Sequence, residues 1–249
     1  MFLPLLLIAG GAAALLLLAL SGEDRAVPVN EPDLPATPGS TRYRRVDAIL
    51  PQLQTAAAQS GVPLGLLVGW IARESGGKLA TKPQPGPGDT KLDERGYFQL
   101  MPAESAALGF DHQKLSTDPT YSINAGLALI GKYMGEVDKL GVAPKGSTYY
   151  WLLVKLAHTM GTGAMKKIVA AAQSQGAAKS WPDLRGYALA HDRELLSATK
   201  HSPAKWFPFV DDVYQTGAAF GFGQAAAVVG GGPVFKDIPD PLDCLLKRA

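Results

Sequence analysis

A single cysteine, Cys244, is all the 249-residue chain holds, so no disulfide can close within it and cysteine usage does not identify its compartment. The four histidines are scattered and never meet cysteine at ligand spacing, so the sequence predicts no zinc site, and neither a metal nor a cofactor is expected. Charge of one sign is also lacking. Lys and Arg number 24 against 22 Asp and Glu, the net charge is +2, and the basic residues form no long run. That pattern carries no electrostatic footprint for a nucleic-acid partner. Alternation of period two is absent throughout, which argues against a sheet. The length suffices for one substantial core, or for one domain with appendages.

What is present begins with Phe2 to Leu20, an apolar run with no charged residue and a single proline. Its length can cross a bilayer as a helix. No Lys or Arg precedes it, unlike the basic start of a cleaved signal peptide, although Ser21-Gly22 offers small residues for cleavage. Residues 1–21 are therefore expected to be a transmembrane anchor, in preference to a removable signal. Residues 22–44 carry Pro28, Pro32, Pro35, Pro38, Gly39 and Ser40 with few apolar side chains, the composition of an extended tether.

From Arg45 the pattern turns helical. Val46, Ile49, Leu50, Leu53 and Ala57 recur at three and four residues and Gly61 closes the segment. Pro63 suits the first position of a helix ending near Glu74, and residues 76–95 read as a loop on their prolines and glycines. Pro102 opens a short helix. Asp118-Pro119 caps a longer one through Ile123, Leu127, Ile130 and Met134, and Ser147 caps another that stops at Gly161. Further helices are expected over 164–173, 183–198 and 203–216. The expectation for residues 45–216 is an all-α domain of roughly eight short helices. Residues 217–249 form a glycine-rich apolar tail.

The chain is organised around residues 71–102. Glu74 ends the apolar helical run of Leu64, Leu67, Val68 and Ile71, and a Gly-aromatic-aromatic-Gln segment returns after the loop. A carboxyl held against apolar neighbours is disfavoured as an anion and can donate a proton near neutral pH. Breaking a glycosidic bond requires that, because the leaving oxygen must be protonated. An isolated Glu-Ser pair at a helix end would more often be merely solvated; the segments that follow it change the weighing.

Glu74-Ser75, then Gly96-Tyr97-Phe98-Gln99-Leu100-Met101-Pro102, then Asn124-Ala125-Gly126 behind Asp118-Pro119, then His158-Thr159-Met160-Gly161 stand in that order. Together they resemble the soluble lytic transglycosylase domain, a relative of goose-type lysozyme, over about residues 45 to 215. The resemblance implies a lysozyme-like all-α domain, here with an N-terminal transmembrane helix. It implies peptidoglycan glycan strands as substrate and Glu74 as sole acid and base. Glu74 would cleave between N-acetylmuramic acid and N-acetylglucosamine and leave a 1,6-anhydro end. Ser75, Tyr97, Gln99, His158, Thr159 and Phe209 are the expected substrate contacts. Two of these depart from the family: His158-Thr159 stands where Tyr-Asn is usual, and Phe209 replaces a later tyrosine. Two other outcomes stay open. A second carboxylate among Asp89, Asp93 and Glu94 would make the domain a hydrolytic lysozyme, and a domain that holds glycan without cutting it would be a binding module of an envelope machine or phage virion. The expected setting is membrane-anchored through residues 2–20, facing the wall or within a particle that delivers the domain there. Arg25, Arg42, Arg44 and Arg45 oppose that orientation, since basic residues favour the cytoplasmic side.

Overall fold

The computed structural model describes residues 44–79 and 93–223. The anchor expected over 2–20, the tether before residue 44, Asp89 and the tail beyond 223 lie outside these residues. Among the described residues the architecture is all-α, and no helix is long and apolar enough to cross a membrane.

In chain order the helices are α1 (Arg44–Ala48), α2 (Leu50–Ser60), α3 (Leu64–Glu74), α4 (Pro102–Ala107), α5 (Pro119–Asp138), α6 (Thr148–Met160), α7 (Thr162–Ser174), α8 (Trp181–Ala190), α9 (Asp192–Thr199) and α10 (Pro203–Ala218). A short 3₁₀ turn, Lys114–Ser116, precedes α5. The starts follow local chemistry. Asp118 accepts from the Tyr121 N–H at 3.0 Å and Ser147 from the Tyr150 N–H at 3.1 Å, each satisfying a donor that the first turn leaves open. The stretch 183–198, expected as one helix, is two. The chain breaks at His191, whose N–H returns to the Tyr187 carbonyl at 3.1 Å.

α3 is the centre of the fold. Gly65 through Ala72 are all buried, so it shows no solvent face and is enclosed on every side. Small residues allow its closest neighbour in. A Cβ on Gly65 would lie 2.4 Å from the Gly217 carbonyl oxygen, and one on Gly69 would lie 2.2 Å from that of Val213. α10 therefore crosses α3 nearly backbone to backbone. Residues 217–223, placed with the tail on their glycine content, fold back here, and Phe222 is buried beside Gly65.

The returning segment 95–100 makes a tight reversal. Arg95 and Leu100 exchange two backbone hydrogen bonds of 3.0 Å. Gly96 takes φ 75°, and a Cβ there would meet the Ser122 hydroxyl at 2.4 Å. That hydroxyl accepts from the Tyr97 N–H, which ties the reversal to α5. Phe98 lies over Gly126, where any Cβ would fall 2.0 Å from the ring. The glycine of Asn124-Ala125-Gly126 thus makes room for the aromatic ring of the other segment.

Candidate active site

Glu74 is the last residue of α3, where the fully buried helix reaches the surface; its side chain is 22% exposed. The last turn of a helix is a poor place for an anion, because unpaired carbonyls point at it. A cation answers it from α6. The Lys155 ammonium donates to Glu74 Oε1, although the two residues lie 81 apart in sequence.

Lys155 is 1% exposed and its ammonium is ringed by three acceptors of different kinds. Besides the carboxylate, His158 Nδ1 lies 3.2 Å away and the Trp70 ring centroid 4.6 Å away. Three hydrogens on the nitrogen thus meet a carboxylate, a ring lone pair and an indole face. Burial draws the Lys155 pKa down from its ordinary value, and the Glu74 carboxylate works against that shift.

His158 completes the cluster. Burial, and then the neighbouring Lys155 charge, push its imidazole down to about 3, with Glu74 opposing. It is therefore neutral near pH 7, accepts through Nδ1 and carries its proton on Nε2. Its 3.6 Å approach to Glu74 Oε1 is then a polar contact without charge pairing. Trp70 and Tyr133 clamp the ring edge-on, with centroids at 5.0 and 5.7 Å.

The sequence-derived picture of Glu74 needs a correction in its surroundings. Apolar neighbours were expected to keep the carboxyl neutral; the structure places a buried ammonium against it, and a cation in contact favours the carboxylate. Lys155 was missed because no local pattern points from residue 155 to residue 74. A signal was present nonetheless. Lys155 is the one charged residue in the run from Tyr149 to Ala157, every member of which is buried, and a lysine inside such a run needs a partner.

The expected contact residues separate into two groups. Glu74 and His158 lie 3.6 Å apart, and Thr159 follows on the same helix, its hydroxyl donating to the Lys155 backbone carbonyl at 3.0 Å. Phe209 lies one step away, its ring 4.0 Å beneath the guanidinium of Arg73 and 5.3 Å from the ring of Trp206. Arg73 Nε in turn lies 3.6 Å from Asp212. The others are enclosed. Ser75 is buried, donates to the Ile71 carbonyl and accepts from the Gly77 N–H, both at 3.2 Å, so its hydroxyl closes the turn after Glu74. The Tyr97 ring is 4% exposed. Gln99 is also 4% exposed; its backbone sits at φ 50°, its Nε2 donates to the Gly96 carbonyl, and its Oε1 has no hydrogen-bond partner among the described residues. The returning segment reaches the cluster through Phe98, whose ring stands edge-on to Trp70 at 6.0 Å.

Asp93 is engaged elsewhere. It accepts from Arg95 Nε at 2.9 Å and lies 3.5 Å from His112 Nε2, and chiefly the Arg95 hydrogen bond holds its carboxyl below the usual range. His112 is mostly enclosed between Asp93 and the Ser105 hydroxyl. Among the described residues no group of three or more His, Cys, Asp or Glu side chains is placed to hold a metal ion.

The sequence pattern of the transglycosylase SLT domain matches residues 52–181. Glu74, the 96–102 reversal, Lys155 and His158 all fall inside that span, and α10 with Phe209 lies beyond it. No curated protein matches the chain.

Proposed function

The chain belongs to the transglycosylase SLT domain family, and from that premise we propose that Glu74 is the single acid and base of a lytic cleavage of peptidoglycan. Membership of the family makes it a transglycosylase-type domain acting on peptidoglycan; the bond, the product and the residue roles are proposed. The observation that carries it is the position of Glu74. It is a carboxyl at the end of a helix buried from Gly65 through Ala72, four-fifths enclosed yet reachable, beside a neutral His158.

In this mechanism the acid form of Glu74 protonates the oxygen linking N-acetylmuramic acid to N-acetylglucosamine, and the bond from C1 to that oxygen breaks. The sugar's own N-acetyl oxygen stabilises the cationic C1. The Glu74 carboxylate then takes the proton of the 6-hydroxyl, whose oxygen closes on C1. The product is a 1,6-anhydro end, no water is consumed, and Glu74 regains its proton. The Thr159 hydroxyl, already donating to the Lys155 carbonyl, keeps lone pairs to accept an acetamido N–H, and the Phe209 ring under Arg73 offers a flat face to a sugar. We further propose that residues 2–20 hold the domain at a membrane surface facing the wall.

The test is mass analysis of glycans released from purified cell wall. Anhydro-ended fragments, one water lighter than hydrolysed ones, are expected; hydrolysed ends would replace this reading with a lysozyme. Glu74→Gln should lower release by about a hundredfold or more. That substitution also leaves Lys155 buried without its counter-charge, at a cost of about 3–5 kcal/mol. Glu74→Gln combined with Lys155→Met removes both charges and is the folded control. The Lys155 contact favours one alternative, in which Glu74 stays an ion-paired carboxylate and the domain only holds glycan. Wall binding with no release, indifferent to Glu74→Gln, would support it.

A further inference from the structure

A general acid must carry its proton before the bond breaks, yet the group set against Glu74 stabilises the form that has lost it. The contact is built in. Lys155 is wholly enclosed, its nitrogen is held on three sides by Glu74, His158 and the Trp70 face, and His158 is itself wedged between Trp70 and Tyr133. Such an ammonium cannot swing away as a surface lysine would. Burial of a charge in this way is costly, and a buried lysine that served only to fill space could be replaced by methionine of similar volume.

Resting on the proposed role of Glu74, we infer that Lys155 is a positioning residue: it fixes the Glu74 carboxyl in place and in its ionised form, and so limits how far above acidic pH cleavage can run. Among the described residues, the neighbouring elements carry other charged and titratable groups. α6 contributes His158, which is neutral. α3 contributes Glu74 and Arg73, the latter turned toward Phe209 and Asp212 of α10. α5 presents Tyr133, whose hydroxyl donates to Glu104 of α4 at 3.2 Å. Asp211 of α10 is engaged by Trp181 and Arg185. The α7 lysines turn outward, Lys166 to Glu136 and Lys167 to the Ala198 carbonyl. Lys155 is thus a cation in contact with the carboxyl, and among the described residues Arg73 is a further charge acting on Lys155.

Two readouts test this on the full chain. The first is the pH profile of glycan release for wild type and Lys155→Met. With the ammonium gone, the alkaline limb is expected to move up by about one pH unit or more. The second is direct titration of the Glu74 side-chain carboxyl by carbon NMR in both proteins, where the variant should titrate at higher pH by a matching amount. Superimposed profiles and unchanged titration in a folded variant would overturn the inference. Should Lys155→Met not fold, the wild type decides alone. A Glu74 carboxyl titrating below the ordinary glutamate range supports the assignment, and one titrating above it refutes it. Absence of cleavage at every pH in wild type would bring down the transglycosylase reading, while the carboxyl titration would still judge Lys155.

Discussion

His158 is kept neutral by burial and by Lys155, and this has a consequence for stability. In an unfolded chain histidine titrates near 6.5, whereas here the imidazole is pushed down to about 3. Between those values the unfolded chain binds the extra proton and the folded one does not. The associated stability is complete above about pH 6.5 and is lost progressively as pH falls toward 3. From pH 6.5 to 5 the loss is up to about 2 kcal/mol. His158→Asn places an amide oxygen close to the position of Nδ1, keeps an acceptor for Lys155, and removes the titration. Its melting temperature should therefore fall less between pH 7 and pH 5 than that of wild type; equal falls would show that the buried histidine carries no such linkage. At this scale the sequence was only half legible. Glu74 and His158 stood out by motif, but the group that sets their charge state did not, since side chains 81 residues apart share no local signal.

The helices obey local rules closely. Pro119 and Pro203 fill first turns, Asp118 and Ser147 cap, and Gly61 and Gly161 end their helices at positive φ. These rules act within four residues, which is why most helix bounds were legible. The crossing of α3 and α10 is of another kind. Gly65, Gly69 and Gly217 look like weaknesses in a helical pattern, yet they let two backbones meet. Gly69→Ala should thus destabilise by about 1–3 kcal/mol, since its Cβ would overlap the Val213 carbonyl. Gly131→Ala on α5, where a Cβ meets nothing within 4 Å, should instead be neutral or stabilise by up to about 1 kcal/mol. Denaturant midpoints of the two variants check this, and equal effects would refute the close crossing. Because α3 carries Glu74 at its end, Gly69→Ala should also lower glycan release.

At the scale of the molecule, α10 crosses α3, the 95–100 reversal meets it through Phe98 and Trp70, and α6 meets the carboxyl at its end. The family pattern at 52–181 stops short of α10, although α10 seats Phe209 beside Arg73 and closes the core over α3. The N-terminal apolar run sets a separate question of placement. If residues 2–20 anchor the chain, the full-length protein should sediment with membranes and resist high-salt extraction, and a form beginning at residue 22 should stay in the supernatant. Full-length protein in the supernatant would refute the anchor and leave the wall-cutting proposal standing.

Helical character, most helix ends, and the carboxyl closing the apolar helix were legible in the order of residues alone, because caps, prolines and three-to-four periodicity act between near neighbours. Tertiary structure alone decided what that carboxyl faces. A lysine on a distant helix, enclosed by Trp70, His158 and its own apolar run, has the Glu74 carboxylate as a counter-charge, and only the folded chain brings the two together.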